Sequence, residues 1–126
     1  MHTRQVLVLL ATLLAFLLSK PSPAAEEQAV LVYVSLSSAG FASKDQLTEL
    51  FKLEEEIATA IQLARAGEHD GNEVGGGEFT VYCYGPSADK LYAAIEPILR
   101  SSVYAKGARV VVRYGKPGAR QVEHRL

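Results

Sequence analysis

Tryptophan is missing from this chain of 126 residues, cysteine and methionine occur once each, and no apolar stretch exceeds 13 residues. A single cysteine, Cys83, cannot close an intramolecular disulfide, so a disulfide-stapled scaffold is excluded and the core must hold by packing. An apolar stretch of 13 residues falls short of the roughly 20 that a membrane-spanning helix needs. Neither sign of charge dominates, with 13 basic against 14 acidic residues. Clustered Lys and Arg are what a nucleic-acid backbone demands, so nucleic acid is a poor candidate partner. The chain also lacks Gly-x-Ser-x-Gly, His-Glu-x-x-His, a Gly-Lys-Ser/Thr phosphate loop and any paired-cysteine motif. It therefore offers no assembled catalytic constellation and no cofactor motif.

What is present begins with a leader-like segment. His2 and Arg4 form a short basic start, Val6 to Leu18 is apolar apart from Thr12, and Ser19-Lys20-Pro21-Ser22-Pro23-Ala24-Ala25 breaks the run with small residues. That layout predicts a signal peptide over 1–25, cleaved after Ala24 or Ala25, and hence an exported protein, periplasmic or extracellular, with no membrane attachment afterwards. No cysteine follows the run to carry a lipid. Cleavage removes Arg4 and Lys20 and no acidic residue, leaving 11 basic against 14 acidic. About 100 residues remain, enough for one modest core, predicted over 26–117.

Val30 to Leu36 alternates as an apolar strand and suits the middle of a sheet. Ser43 and Gln46 have the capping-box spacing, and Leu47, Leu50, Phe51, Ile57, Ile61 and Ala64 recur at helical steps. Glu54, Glu55 and Glu56 fall mostly on the solvated side of that helix, and Gly67 is its expected C′ stop. Two extended runs then meet at Gly75-Gly76-Gly77 as a β-hairpin, the second arm being Glu78 to Tyr84. Ser87 is an N-cap for a second helix with the buried stripe Leu91, Tyr92, Ile95, Ile98 and Leu99. Pro97 predicts a kink there, or a helix ending near Glu96. Arg109 to Tyr114 is the last strand expected, and 118–126 reads as a loose tail.

The order strand, helix, strand, strand, helix, strand predicts an α+β fold of the ferredoxin-like βαββαβ type. Two helices cover one face of a four-stranded antiparallel sheet in spatial order 4-1-3-2. The other face is left open. Alternation sends Phe79, Val81 and Cys83 toward the helices, and Tyr82, Tyr84, Tyr33 and Arg113 to the open face. A two-residue turn at Gly76-Gly77 sets Val74 opposite Phe79, Glu73 opposite Thr80 and His69 opposite Tyr84. Tyr33, Tyr82 and Tyr84, ringed by His69, Glu73 and Arg113, are thus the candidate binding surface. An aromatic patch of this kind usually has a partner. A homodimer through the open face, a small-molecule or peptide ligand, and a bare solvated sheet all compete for it. Single-stranded RNA is disfavoured by charge and by the missing RNP1 consensus. The functional expectation is an exported binding or assembly module, with a small enzyme of the dimeric α+β barrel type as the alternative.

Two constellations invite chemistry and fail on geometry. Glu68, His69, Asp70, Glu73 and Glu78 resemble a metal set. On an extended strand, however, His69 and Glu73 lie about 13 Å apart at roughly 3.3 Å per residue, whereas zinc ligands sit about 2 Å from the ion. Cys83 with His69 would suggest a nucleophile, but alternation places them on opposite faces. Cys83 therefore reads as a small buried hydrophobe, with an intermolecular disulfide as the rarer reading.

The run Asp70-Gly71-Asn72-Glu73-Val74-Gly75-Gly76-Gly77-Glu78, followed by Tyr82-x-Tyr84-Gly85-Pro86-x-Ala88-Asp89, resembles a stretch in small uncharacterised bacterial proteins. The likeness spans about Gly67 to Leu99. It implies that the hairpin and the start of the second helix form one unit, and it brings no activity with it.

Overall fold

The computed structural model describes residues 27–37 and 44–126. The expected leader, and Ser43 of the expected capping box, lie outside them. Alternation in β1 (Gln28–Ser35) turns Val30, Val32 and Val34 inward, where they pack against two helices. The first is α1 (Lys44–Ala64), which buries Leu50, Leu53, Ile57 and Ile61. The hairpin arms are β2 (Glu68–Gly75) and β3 (Glu78–Gly85). Then come α2 (Ala88–Ser101), a short 3-10 turn (Val103–Ala105), β4 (Arg109–Arg113) and β5 (Gln121–Arg125). Together they form an α+β fold with two helices and one sheet.

The sheet is antiparallel throughout, in the order β2-β3-β1-β4-β5. It has five strands where four were expected, because the tail is not loose. Gln121 to Arg125 pairs with β4, residue by residue, from Arg113↔Gln121 to Arg109↔Arg125. Two backbone bonds, Gly107 N to Leu126 O and Leu126 N to Ala108 O, continue the ladder. His124 stacks on Tyr92 of α2, with ring centroids 4.5 Å apart. A polar strand is held here by an edge that needs a partner and by one aromatic contact.

Local chemistry explains most element ends. Gly76 and Gly77 both take positive φ (59° and 78°), the requirement of a two-residue type I′ hairpin turn. Ser87 caps α2 by accepting from Lys90 N at 3.2 Å, and Gln28 Oε1 accepts from Ala88 N at 2.8 Å. The helix runs through Pro97 to Ser101 rather than ending near Glu96. Pro97 leaves the carbonyl of Ala93 without a helical donor, on a side of the helix where Ala93 and Pro97 are both exposed.

The end of α1 corrects an expectation. Its left-handed C′ residue is Arg65, at φ 50°, and not Gly67. Arg65 N bonds Gln62 O and Ala66 N bonds Ile61 O, both at 3.1 Å, which is the Schellman pattern with buried Ala66 against buried Ile61. Gly67 has a different task. A Cβ there would lie 2.1 Å from the carbonyl oxygen of Tyr84, and one on Gly85 would lie 2.2 Å from that of Ala66. The two glycines let the helix exit pass directly against the end of β3.

Candidate functional site

Strand pairing arranges the open face in three rows running across the strands from β2 to β5. The first is Glu73–Thr80–Tyr33–Arg109–Arg125 and the third is Glu68–Tyr84–Ala29–Arg113–Gln121. Between them lies Tyr82–Leu31–Val111–Glu123, with Asp70 and Gly71 of β2 opposite Tyr82. Ala29, Leu31 and Val111 are buried under half-buried Tyr33, Tyr82 and Tyr84. This is a second apolar cluster on the face away from both helices. No described helix packs over it.

Polar side chains brace the tyrosines. Tyr82 donates its hydroxyl to Glu73 Oε2 at 2.6 Å, and that bond, with the carboxylate's charge, pushes the Tyr82 hydroxyl up to about 12. The Arg109 guanidinium lies 4.1 Å from the centroid of Tyr33, a cation–π contact, and also pairs with Glu123 at 3.3 Å. Arg113 donates from Nε to Gly115 O at 2.9 Å. At one end of the face a shallow cleft of about 460 Å³ is lined by Glu27, Glu68, Asp70, Tyr84, Arg113 and Lys116, among others.

Of the six residues expected here, Tyr33, Tyr82, Tyr84, Glu73 and Arg113 share this face. His69 does not. A bulge between His69 and Asn72 sets Asp70 and Gly71 together against Tyr82, with Gly71 at φ 99°. Upstream of it the register moves by one, so His69 pairs with Cys83 and Glu68, in its place, with Tyr84. One residue of slip turns a side chain to the other face. The bulge brings His69 and Asn72 both to Glu54 of α1. Asn72 Nδ2 donates to Glu54 Oε1 at 3.0 Å, and His69 Nε2 lies 3.3 Å from Glu54 Oε2 without hydrogen-bond alignment. The Glu54 side chain is only 12% exposed, so it belongs to this junction and not to the solvated side of the helix.

Cys83, His69 and Glu54 thus lie on the helix side, where alternation along the hairpin had put Cys83 and His69 on opposite faces. The chemistry stays quiet nonetheless. Cys83 is fully buried, and burial first, then the Glu54 charge, pushes its thiol up to about 12. Both effects disfavour the thiolate that a nucleophile or metal ligand requires. Among the described residues no three His, Cys, Asp or Glu side chains converge as a metal site. No described helix is long and apolar enough to cross a membrane.

Sequence reasoning singled out the tyrosines but not the apolar floor beneath them. Leu31 and Val111 carried the same alternation signal as Tyr33 and Arg113. Glu54 and Asn72 carried none, because only the bulge brings them together. Comparison with known proteins finds no matching family model, no similar curated protein and no similar solved structure.

Proposed function

We propose that this protein is an exported assembly module that works as a homodimer, joined through the open face of its sheet. The apolar cluster on that face carries the reading: Ala29, Leu31 and Val111 beneath Tyr33, Tyr82 and Tyr84, on the side opposite the helices. At ordinary sheet spacings five strands and an eight-residue β1 make a face of roughly 20 by 25 Å. Its projected area, about 500 Å², is of the same order as one side of a standard interface, which buries about 800 Å² of accessible surface. The strand order is that of a ferredoxin-like βαββαβ unit with one strand added at the β4 edge, and both helices lie on the same side, which supports that finer assignment. Export rests on the basic, apolar and small-residue pattern of residues 1–25. N-terminal sequencing of the mature protein tests it, and an intact Met1 on a membrane-bound product would sink it. The likeness of 67–99 to small bacterial proteins adds the proposal that the hairpin and the start of α2 are one inherited unit.

The test of the dimer is sedimentation over a range of protein concentrations, for wild type and for Tyr82→Ser/Tyr84→Ser, with circular dichroism to follow folding. Large aromatics at the centre of an interface contribute about 2 kcal/mol or more each. The double substitution should therefore abolish association while the fold persists. A wild type that stays monomeric throughout refutes the reading. A second reading, a small enzyme of the dimeric α+β barrel type or a binder of a small molecule or peptide, draws on the cleft, where Arg113 and Lys116 face Glu27, Glu68 and Asp70. Mass spectrometry of the purified protein under native conditions would favour it by showing a co-purified ligand lost on Arg113→Ala.

A further inference from the structure

The open face is electrically lopsided. Its β2 side carries Glu68, Asp70 and Glu73, while its β4–β5 side carries Arg109, Arg113 and Arg125, with Glu123 already paired to Arg109. β1 is the middle strand of the five, and Leu31 lies in the middle row of that middle strand.

Two sheets stacked face to face about a two-fold axis have two simple arrangements. An axis lying across the strands sets each strand over its own copy, with the rows exchanged. Glu73 then meets the carboxylate of the second copy's Glu68, Asp70 meets its own equivalent, and Arg109 meets Arg113. Every charged encounter is repulsive. An axis running along the strands over β1 sets β2 over the second copy's β5, and β3 over its β4, with each row kept level. Glu73 then lies over Arg125, Tyr84 over Arg113, Tyr82 over Val111, and Leu31 over Leu31. Opposite charges meet at the end of the first row, an arginine meets an aromatic face, and apolar groups meet at the centre; the one like-charge encounter sets Asp70 over the second copy's Glu123, whose carboxylate Arg109 already neutralises. Like-charge juxtaposition at an interface is what suppresses wrong docking.

We infer that the second copy docks with its two-fold axis along β1, so that Glu73 of each protomer faces Arg125 of the other. This rests on the homodimer reading above and specifies its geometry. Both side chains are exposed at opposite edges of the first row, too far apart within one protomer to pair with each other.

The experiment is charge exchange, read by the dimer dissociation constant from sedimentation. Each substitution acts twice in a symmetric dimer. Glu73→Arg alone and Arg125→Glu alone should each weaken association by about tenfold, since two exposed attractive pairs become repulsive. The double exchange, Glu73→Arg with Arg125→Glu, should recover the wild-type constant, and a mixture of the two single variants should form heterodimers in preference to either homodimer. Raising the salt concentration should shrink all of these differences. If the axis lay across the strands, Glu73→Arg would face the second copy's Glu68 and would tighten the dimer. That result, or a double exchange no tighter than the singles, overturns the inferred axis and leaves the dimer standing. A wild type monomeric at every concentration overturns both.

Discussion

Val81 and Tyr82 are neighbours on β3 whose side chains leave the sheet on opposite faces, so the pair measures how differently the two faces are built. Val81 is 2% exposed, in the core under the helices, and pairs with Val32 and Asn72 on its flanks. Replacing it by Asp forfeits about 2 kcal/mol of apolar burial. It also buries a carboxyl with no partner, at a further cost of about 3 kcal/mol even when the group stays protonated. The sum, about 5 kcal/mol, rivals the whole stability of a domain this size, about 5–15 kcal/mol. Tyr82→Ser loses an exposed hydrogen bond to Glu73 and part of its packing on the Ala29, Leu31 and Val111 cluster, about 1–2 kcal/mol together. At about 4–8 °C per kcal/mol, Val81→Asp should lower Tm by 20 °C or more, or abolish the transition, whereas Tyr82→Ser should lower it by about 5–15 °C. Thermal unfolding followed by circular dichroism reads both. The samples are held at one low protein concentration so that association does not add to apparent stability. Equal losses for the two substitutions would refute the assignment of faces.

The Tyr82 hydroxyl, raised to about 12 mainly by its bond to Glu73, should titrate nearer 10 in Glu73→Gln, as followed by the ultraviolet band of tyrosinate. Because its folded value lies above the unfolded one, its stabilising effect is complete below about pH 10 and lost as pH rises toward 12. Cys83 should resist a thiol reagent in the native protein and react at one equivalent per chain in urea, since burial both hides the thiol and pushes it up to about 12. Gly85→Ala should cost about 1–3 kcal/mol in urea unfolding, as its Cβ meets the Ala66 carbonyl; Gly75→Ala, with nothing within 4 Å, should cost far less. Removing 120–126 should destabilise the domain by at least about 1 kcal/mol and promote aggregation, because the edge of β4 is bared and the Tyr92–His124 stack is lost.

Whatever rests on local chemistry was legible along the chain. Gly76-Gly77 specifies its own turn, because few other residue pairs tolerate two consecutive positive φ values, and the turn in turn sets Val74 against Phe79 and Glu73 against Thr80. Period-two alternation in β1, β3 and β4 sorted Val32, Val81 and Val112 from Tyr33, Tyr82 and Arg113 with no knowledge of their neighbours. The neighbour order of the first four strands followed from two helices that had to cover one face.

Tertiary structure decided what depended on distant partners. His69 left the open face because Glu54, on another element, draws both His69 and Asn72, three positions apart, and an unbroken strand would send them to opposite sides. Arg65 accepts a strained left-handed conformation because Ala66 packs on Ile61, and because Gly67 is needed two residues later to clear the Tyr84 carbonyl. Gln121 to Arg125 has no apolar rhythm of its own. It became a strand because β4 presented an unpaired edge and Tyr92 a ring for His124, and a backbone ladder satisfies its polar groups whatever the side chains.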